Sequence, residues 1–191
     1  MNEQRIKVEG YVFFGLYIAC IFLANWFISP VGVICVGENS STCLIPMKPQ
    51  FFGDGMVPSG VLFVGVSLTL RDLVQRRLGF NWSFFAVIIG ALLSALVSPS
   101  LALASGVAFL LSETLDLFVY TPISKTRLIT AVVASNFVGL VVDSVLFLSL
   151  AGIPLIYMEG QIIGKIYMTI LAIPVIYLIK KSDDLRGIEA A

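Results

Sequence analysis

Ionisable side chains inside long apolar stretches are the residues of this chain whose type and spacing indicate chemistry. Glu113 and Asp116 are three residues apart in one such stretch, and Asp143 lies in the next. Residues three apart share one face of an α-helix, so the first two carboxylates lie on the same side. Arg71 and Asp72 join this group if the helix that begins near residue 59 continues to residue 78. An ionisable group near the middle of a membrane helix costs about 2.5–3.5 kcal/mol, and such groups commonly mark a substrate or ion pathway.

Carboxylates in this setting accept hydrogen bonds from adjacent N–H donors, such as those on the edge of a guanine-like heterocycle. The aromatic residues Phe109, Tyr120 and Phe147 occur at helical spacing from the acids and offer rings on which such a base can stack. A cation or an amine fits the same carboxylates. Buried ion pairs that only hold helices together are a further interpretation. We favour ligand binding because the acids outnumber the one arginine near them, which leaves carboxylates that need a proton or a ligand.

Several classes of function are excluded by what the chain lacks. It has no histidine, and its three cysteines have no CxxC spacing, so catalytic triads, imidazole metal sites and zinc sites are not expected. It also has no P-loop for ATP hydrolysis. Twelve basic residues balance twelve acidic ones, so no net field attracts nucleic acid. We therefore expect no enzyme, no metal, no cofactor and no nucleic-acid partner; if a step is proton-linked, these carboxylates must carry it.

The elements that position these residues are predicted to be membrane helices. The 191 residues are 58% hydrophobic and only 13% charged, whereas soluble domains have about 25% charged residues. A helix crosses the hydrocarbon core with about 20 mostly apolar residues. We predict an all-α, polytopic membrane protein that forms a single domain over residues 1–191. Its six spans lie at about 11–28, 59–78, 82–97, 101–120, 128–150 and 161–179, with a turn at Ser98-Pro99-Ser100.

The distribution of basic residues predicts the orientation. With the N- and C-termini in the cytoplasm, ten of the twelve basic residues fall inside and only Lys48 and Lys165 fall outside. The first span is interpreted as retained rather than as a cleaved signal peptide. Residues 31–58 form an outer loop, in which Cys35 and Cys43 are either a disulfide or free thiols. The tail after Lys180 is expected to be frayed.

Depth along the helices brings some of the polar groups together. At 1.5 Å per residue, Arg71, Glu113 and Asn136 fall at nearly the same height in a core about 30 Å thick. We therefore predict that Arg71 pairs with Glu113 or Asp116, that Asn136 completes a polar layer, and that Asp143 lies nearer the outer side. Ala131, Ser135 and Gly139 recur every four residues, a stripe suited to close helix packing.

The stretches around these residues resemble the VUT family, described as vitamin uptake or queuosine precursor transporters. They are residues 70–79 (LRDLVQRRLG), residues 104–116 (ASGVAFLLSETLD), and a third stretch in which 134–139 (ASNFVG) runs into 142–147 (VDSVLF), with a weaker fourth at 160–165. The resemblance implies a six-span carrier of 7-deazaguanine precursors such as 7-cyano-7-deazaguanine. It also implies roles for Arg71, Asp72, Ser105, Ser112, Glu113, Asp116, Asn136, Asp143 and Gln161.

The primary hypothesis is therefore a multi-pass protein of the cytoplasmic membrane that imports a 7-deazaguanine base. In it, Glu113 and Asp116 accept hydrogen bonds from the base, Arg71 and Asn136 orient them, and Asp143 gates or binds from outside. The expected partners are this small-molecule substrate and the lipid bilayer, with a homo-oligomer left open. The alternative is a vitamin-binding subunit of an energy-coupling-factor type transporter, and a third is a non-transporting membrane scaffold. The candidate substrate-binding residues are Arg71, Asp72, Phe109, Glu113, Asp116, Asn136, Asp143 and Gln161.

Overall fold

Six α-helices and one small sheet make up the part of the chain that the structure describes. The computed structural model describes residues 2–28, 31–36, 42–48, 51, 55–97 and 102–187. The helices are α1 (Asn2–Phe27), α2 (Val61–Leu78), α3 (Phe80–Val97), α4 (Ala102–Ser124), α5 (Leu128–Leu150) and α6 (Met158–Arg186), with a 3₁₀ turn at Leu155–Tyr157 before α6. Between α1 and α2, the strands β1 (Ile34–Val36), β2 (Thr42–Pro46) and β3 (Met56–Pro58) form an antiparallel sheet in the order β1-β2-β3.

Each predicted span corresponds to one of these helices, but α1 and α6 are longer than predicted. The expectation of a frayed tail after Lys180 is wrong, because α6 continues to Arg186. The reason is an ion-pair cluster at this end of the bundle. Asp183 is fully buried and accepts hydrogen bonds from Arg76 Nε at 2.8 Å and from Arg77 Nη2 at 2.8 Å. Arg77 Nε also pairs with Glu9 Oε2 at 3.1 Å, which joins α1, α2 and α6.

Among the described residues, four segments are long and apolar enough to cross a membrane: three lie in α1, α4 and α5, and the fourth comprises the 3₁₀ turn and α6. Their bounds are Gln4–Phe27, Leu103–Ser124, Leu128–Leu150 and Leu155–Arg186. In α3 the apolar segment is shorter, Phe80–Leu96, and α2 carries four charged residues. The structure thus agrees with the predicted all-α membrane fold, to which it adds the small sheet.

Glycines allow a tight turn between two helices and a close contact between two others. Gly79 has φ 86°, in the left-handed region, and lets the chain pass from α2 to α3 with no intervening loop. In α5, a Cβ at Gly139 would lie 2.8 Å from Asp116 Oδ2, so the small residue brings α5 against the acid on α4. Ala131 and Ser135 of the predicted stripe are fully buried. The predicted turn at Ser98-Pro99-Ser100 lies outside the described residues.

Large apolar side chains cover the outside of the bundle. In a membrane protein the solvent for such a surface is lipid, so exposed leucine and phenylalanine carry no penalty there. Exposed examples from several helices are Leu96, Leu103, Phe118, Phe137 and Leu171.

The segment predicted as an outer loop is held by the sheet and by a disulfide. Cys35 and Cys43 face each other in the β1–β2 register and are bonded. Of the two alternatives that the sequence left open for these cysteines, the structure has the disulfide. The backbone carbonyl of Lys48 accepts a hydrogen bond from the Tyr167 hydroxyl at 2.5 Å, which ties the segment to α6.

Candidate functional site

A polar cavity lies among the helices, and all six contribute to its lining. Its enclosed volume is about 50 Å³, and the total is about 540 Å³ when the gaps between the lining side chains and the open solvent at its mouth are counted. Polar groups come from every helix and two aromatic rings complete the wall, which is the composition of a small-molecule site. The residues that the argument uses are Asn25 on α1, Ser67 on α2, Ser94 on α3, Ser105 and Phe109 on α4, Asp143 and Phe147 on α5, and Gln161 and Lys165 on α6.

The charged part of the cavity wall is centred on Lys165. Its ammonium group donates to Asp143 Oδ2 at 2.6 Å, to Ser144 Oγ at 2.9 Å and to Gln161 Oε1 at 3.1 Å. Lys165 is 1% exposed, whereas Asp143 is 13% exposed. Lys165 therefore contacts Asp143 and Gln161 on their buried side, and part of the Asp143 carboxylate faces the cavity.

A second polar group in the wall is centred on Asn25. Its amide oxygen accepts hydrogen bonds from Ser94 Oγ and Ser105 Oγ, both at 3.0 Å, and the two serine hydroxyls also contact each other. The amide nitrogen of Asn25 donates to the Ile21 carbonyl at 2.9 Å. The group joins α1, α3 and α4. Hydrogen bonds between polar side chains stabilise contacts between helices in a membrane.

Behind the cavity, a fully enclosed cluster surrounds Arg71. Its guanidinium contacts Asp116 through Nη2, Asp72 Oδ1 at 2.8 Å and Glu113 Oε2 at 3.3 Å. All four side chains are 0–1% exposed. The predicted ion pairing of Arg71 with Glu113 and Asp116 is confirmed, and Asp72 joins it. The ring of Tyr120 lies near the guanidinium, with its centroid 6.0 Å from Cζ.

One short helical segment connects the cluster to the cavity. Phe109 lines the cavity, Ser112 donates to Asp143 Oδ1 at 3.5 Å, and Glu113 enters the Arg71 cluster. These three residues occupy successive positions on one side of α4. Movement of this segment would therefore affect both groups.

Asn136 contacts other partners than the sequence analysis expected. Its amide nitrogen donates to Thr69 Oγ1 and to Thr169 Oγ1, both at 3.3 Å, and these bonds bridge α5 to α2 and α6. The side chain is fully buried. It forms the expected polar layer with two threonines, and no described contact joins it to Glu113 or Asp116.

The predicted site residues thus separate into two groups. Phe109, Asp143 and Gln161 line the cavity. The others are buried behind it: Arg71, Asp72, Glu113, Asp116 and Asn136.

Lys165 corrects the sequence analysis directly. We expected it outside the membrane, but it is buried in the bundle because Asp143 and Gln161 supply partners there. The signal was its spacing of four from Gln161, which puts both on one face of α6. Asn25 was also missed as a site residue, although it is the one strongly polar side chain in the apolar run of 11–28.

The fold and the cavity define a class: a helical membrane protein with a cavity among its helices to which every helix contributes a polar side chain. Residues 96–179, just under half of the chain, match the model of a family described as "putative vitamin uptake transporter". This match covers α4 and α5 and most of α6, and it confirms the resemblance to the VUT family. The family is one of transporters rather than enzymes. Comparison with curated proteins and with solved structures finds no match.

Proposed function

We propose that the chain is a six-span carrier that imports a queuosine precursor, a 7-cyano-7-deazaguanine-like base, across the cytoplasmic membrane. The observation that carries the proposal is the cavity, which combines an acid, two amides, an ammonium group and two phenyl rings. A polar planar base needs such a mixture, because its edge requires hydrogen-bond partners and its faces require apolar contact.

The recognition chemistry follows from the two polar groups in the wall. The exposed part of Asp143 accepts hydrogen bonds from a pair of adjacent N–H groups on the base. The amide of Gln161 lies beside it; its oxygen accepts from Lys165, which leaves its N–H groups to donate to a ring carbonyl. Phe109 and Phe147 offer faces for stacking. We propose that the Arg71 cluster acts on the bound base through Asp143 and Ser112 rather than by direct contact.

Six spans are supported by where the charges of α2 lie. A helix of 18 residues, as α2 and α3 both are, is about 27 Å long, close to the hydrocarbon thickness. Arg71, Asp72, Arg76 and Arg77 of α2 are all buried and ion-paired, so none of them has to face lipid. Hydropathy alone undervalues such a helix because it counts charges whose partners lie inside the bundle.

The orientation is supported by the remaining basic residues. With Arg71 and Lys165 inside the bundle, nine basic residues lie at the end that contains both termini, and Lys48 alone lies at the end with the sheet. This asymmetry supports a cytoplasmic position for the termini and an outer position for the disulfide, since disulfides persist on that side.

Uptake of a labelled 7-deazaguanine base tests this function, in cells that lack their own synthesis and carrier. We expect uptake with the natural chain, a strong loss in Asp143→Asn and no change in Asp184→Asn, which alters an exposed carboxylate. Uptake equal to that of cells without the chain would overturn the proposed substrate. Uptake unaffected by Asp143→Asn would overturn the assignment of the site.

A second candidate is a vitamin-binding subunit that works with a separate energising complex, and the family description, which names vitamin uptake, favours it. A thermal-shift screen of the purified protein against deazaguanines, purines and vitamins separates the two, because a ligand stabilises the state that binds it. Stabilisation by a vitamin, together with uptake only when an ATPase partner is co-expressed, would select this second candidate.

A further inference from the structure

The enclosed Arg71 cluster contains more negative than positive charge. Three carboxylates, those of Asp72, Glu113 and Asp116, surround one guanidinium, and all four side chains are 0–1% exposed. Lys165 does not correct the imbalance, because it is paired with Asp143 at 2.6 Å. Ionisation of all three acids would leave two uncompensated charges in the membrane interior, which is strongly unfavourable. The cluster therefore requires at least one bound cation or proton.

A proton fits this requirement better than a metal ion. Within the described ranges, no group of three or more His, Cys, Asp or Glu side chains is arranged to hold a metal ion. Glu113 Oε1 in the cluster also lacks a hydrogen-bond partner in the part of the chain that the structure describes. A carboxyl group that gains a proton loses its charge and gains a donor, so one event meets both needs.

Glu113 is the carboxylate to which the geometry assigns this proton. Its contact with Arg71, at 3.3 Å, is the longest of the three, whereas Asp116 and Asp72 both contact Nη2 more closely. Oε1 of Glu113 has no hydrogen-bond partner among the described residues. Glu113 also follows Ser112, which donates to Asp143 in the cavity, so it is the member of the cluster with a short connection to water.

We propose that Glu113 carries the proton that drives this carrier, an inference that rests on the proposed transport function. The proton is bound as an O–H bond on the Glu113 carboxyl group. On release, that bond breaks, the proton passes to water in the cavity, and the carboxylate keeps the electron pair. The charge that appears on Glu113 then competes with Asp116 and Asp72 for Arg71, which changes the contact between α2 and α4. Substrate movement and proton movement are coupled through this change.

The groups that face Glu113 come from every helix that packs around it. Arg71 and Lys165 favour its ionised form, and the neighbouring acids favour the protonated form. Among the described residues, its charged or titratable neighbours are Tyr17 on α1, Arg71 and Asp72 on α2, Asp116 on α4, Asp143 on α5 and Lys165 on α6. Deprotonation of Glu113 therefore depends on the Asp143–Lys165 pair, which the bound base contacts.

Two measurements on the full chain test the proposal, and the first needs no substrate. Dicyclohexylcarbodiimide modifies protonated carboxyl groups in apolar surroundings, so we expect an adduct on Glu113 that diminishes as the pH rises. Mass spectrometry locates the adduct, and Glu113→Gln removes it. Infrared spectroscopy should show the C=O band of a protonated carboxyl that is lost in the same variant. An unmodified Glu113 and no such band in the natural chain would overturn the proposal.

The second measurement uses proteoliposomes loaded with the 7-deazaguanine base. Exchange of labelled for unlabelled base without a gradient reports the proposed function alone, and acceleration of uptake by an inward proton gradient reports the coupling. We expect Glu113→Gln to keep exchange but to reduce the ratio of uptake with and without the gradient to unity, while Asp184→Asn keeps both. Exchange in the natural chain that a sodium gradient accelerates and a proton gradient does not would overturn the coupling but leave the function standing. Absence of exchange would overturn the proposed transport function. The carbodiimide and infrared measurements would then still show whether Glu113 holds a proton.

Discussion

Replacement of Lys165 by methionine is the sharpest test of how the cavity is built. Methionine keeps most of the length and apolar volume of the side chain and removes only the ammonium group. That group makes three contacts, to Asp143 at 2.6 Å, to Ser144 at 2.9 Å and to Gln161 at 3.1 Å. The Lys165→Met variant therefore leaves a carboxylate without its cation in a site that is mostly enclosed.

The expected magnitude follows from the exposure of the two partners. Removal of one member of a buried ion pair costs about 3–5 kcal/mol, because the other charge is left without compensation. Asp143 is 13% exposed to the cavity and so keeps some hydration, which favours the low end, about 3 kcal/mol. In a chain of this size each kcal/mol corresponds to about 2–4 °C in Tm, so the expected fall is about 6–12 °C.

A double-mutant cycle separates this mechanism from simple loss of packing. Asp143→Asn in the Lys165→Met background removes the uncompensated charge, so the double variant should recover to within about 1–2 kcal/mol of the natural chain. Lys180→Met serves as the matched control, because Lys180 is exposed on the same helix and should change stability by less than about 0.5 kcal/mol. Thermal unfolding in detergent provides the measurement. Additive effects of the two substitutions would refute an ion pair between them.

Three further predictions concern other parts of the bundle. Asp183→Asn should lower the Tm by an amount similar to that of Lys165→Met, because it removes the charge that Arg76 and Arg77 share and leaves Arg77 only its pair with Glu9. Asp184→Asn should leave the Tm unchanged, and equal effects of the two substitutions would contradict the ion-pair cluster. Gly139→Ala should destabilise the chain by about 1–3 kcal/mol, whereas Gly106→Ala, whose Cβ would meet nothing closer than 3.5 Å, should be neutral in the same assay. The β1–β2 disulfide closes a loop with a sequence separation of 8, so its reduction should lower the free energy of unfolding by about 2.5 kcal/mol. The Tm with and without reductant measures this effect, and alkylation followed by mass analysis verifies that the disulfide is reduced. An unchanged Tm after complete alkylation would count against that value.

The helices and the Arg71 cluster were predictable because both depend on local properties of the sequence. The length of an apolar run between charged residues indicates the length of the helix. The bounds predicted for α5 are those in the structure, Leu128–Leu150. Because the rise per residue of a helix is fixed, the position of a residue in its helix gives its depth in the membrane. The pairing of Arg71 with Glu113 could therefore be predicted, although the two lie in opposite halves of the chain. Two acids in apolar surroundings near an arginine are expected to form ion pairs with it, because few other arrangements of the three side chains would compensate their charges.

The position of Lys165 was not predictable by the same reasoning. Counting basic residues by side treats each one as a surface charge, and that assumption fails for a lysine whose partners lie on another helix. Lys165 is buried only because α5 brings Asp143 and Ser144 to it, and contacts between helices are absent from local sequence patterns. The group around Asn25 was missed for the same reason, since two of its partners are on α3 and α4.

The sheet between α1 and α2 was missed for a different reason. Two of its strands have three residues each, which is too short for a period-two pattern to be visible. The segment is also rich in Gly, Pro, Asn and Ser, which favours turns over strands. The segment is held by the pairing of strands with β2 and by the disulfide. The pairing depends on residues that are distant in sequence, and the disulfide depends on the redox environment.

The discovery of Lys165 in the bundle bears on whether these ionisable groups only hold helices together. It supplies a partner for Asp143, so one of the acids that seemed uncompensated is accounted for by structure alone. It does not account for Glu113, because Arg71 already faces Asp72 and Asp116 at closer range. Replacing a buried ion pair with well-packed apolar residues is often neutral or stabilising, so helix packing by itself does not call for an extra acid in such a cluster. A surplus carboxylate next to the segment that lines the cavity is better explained by a proton that is bound and released there.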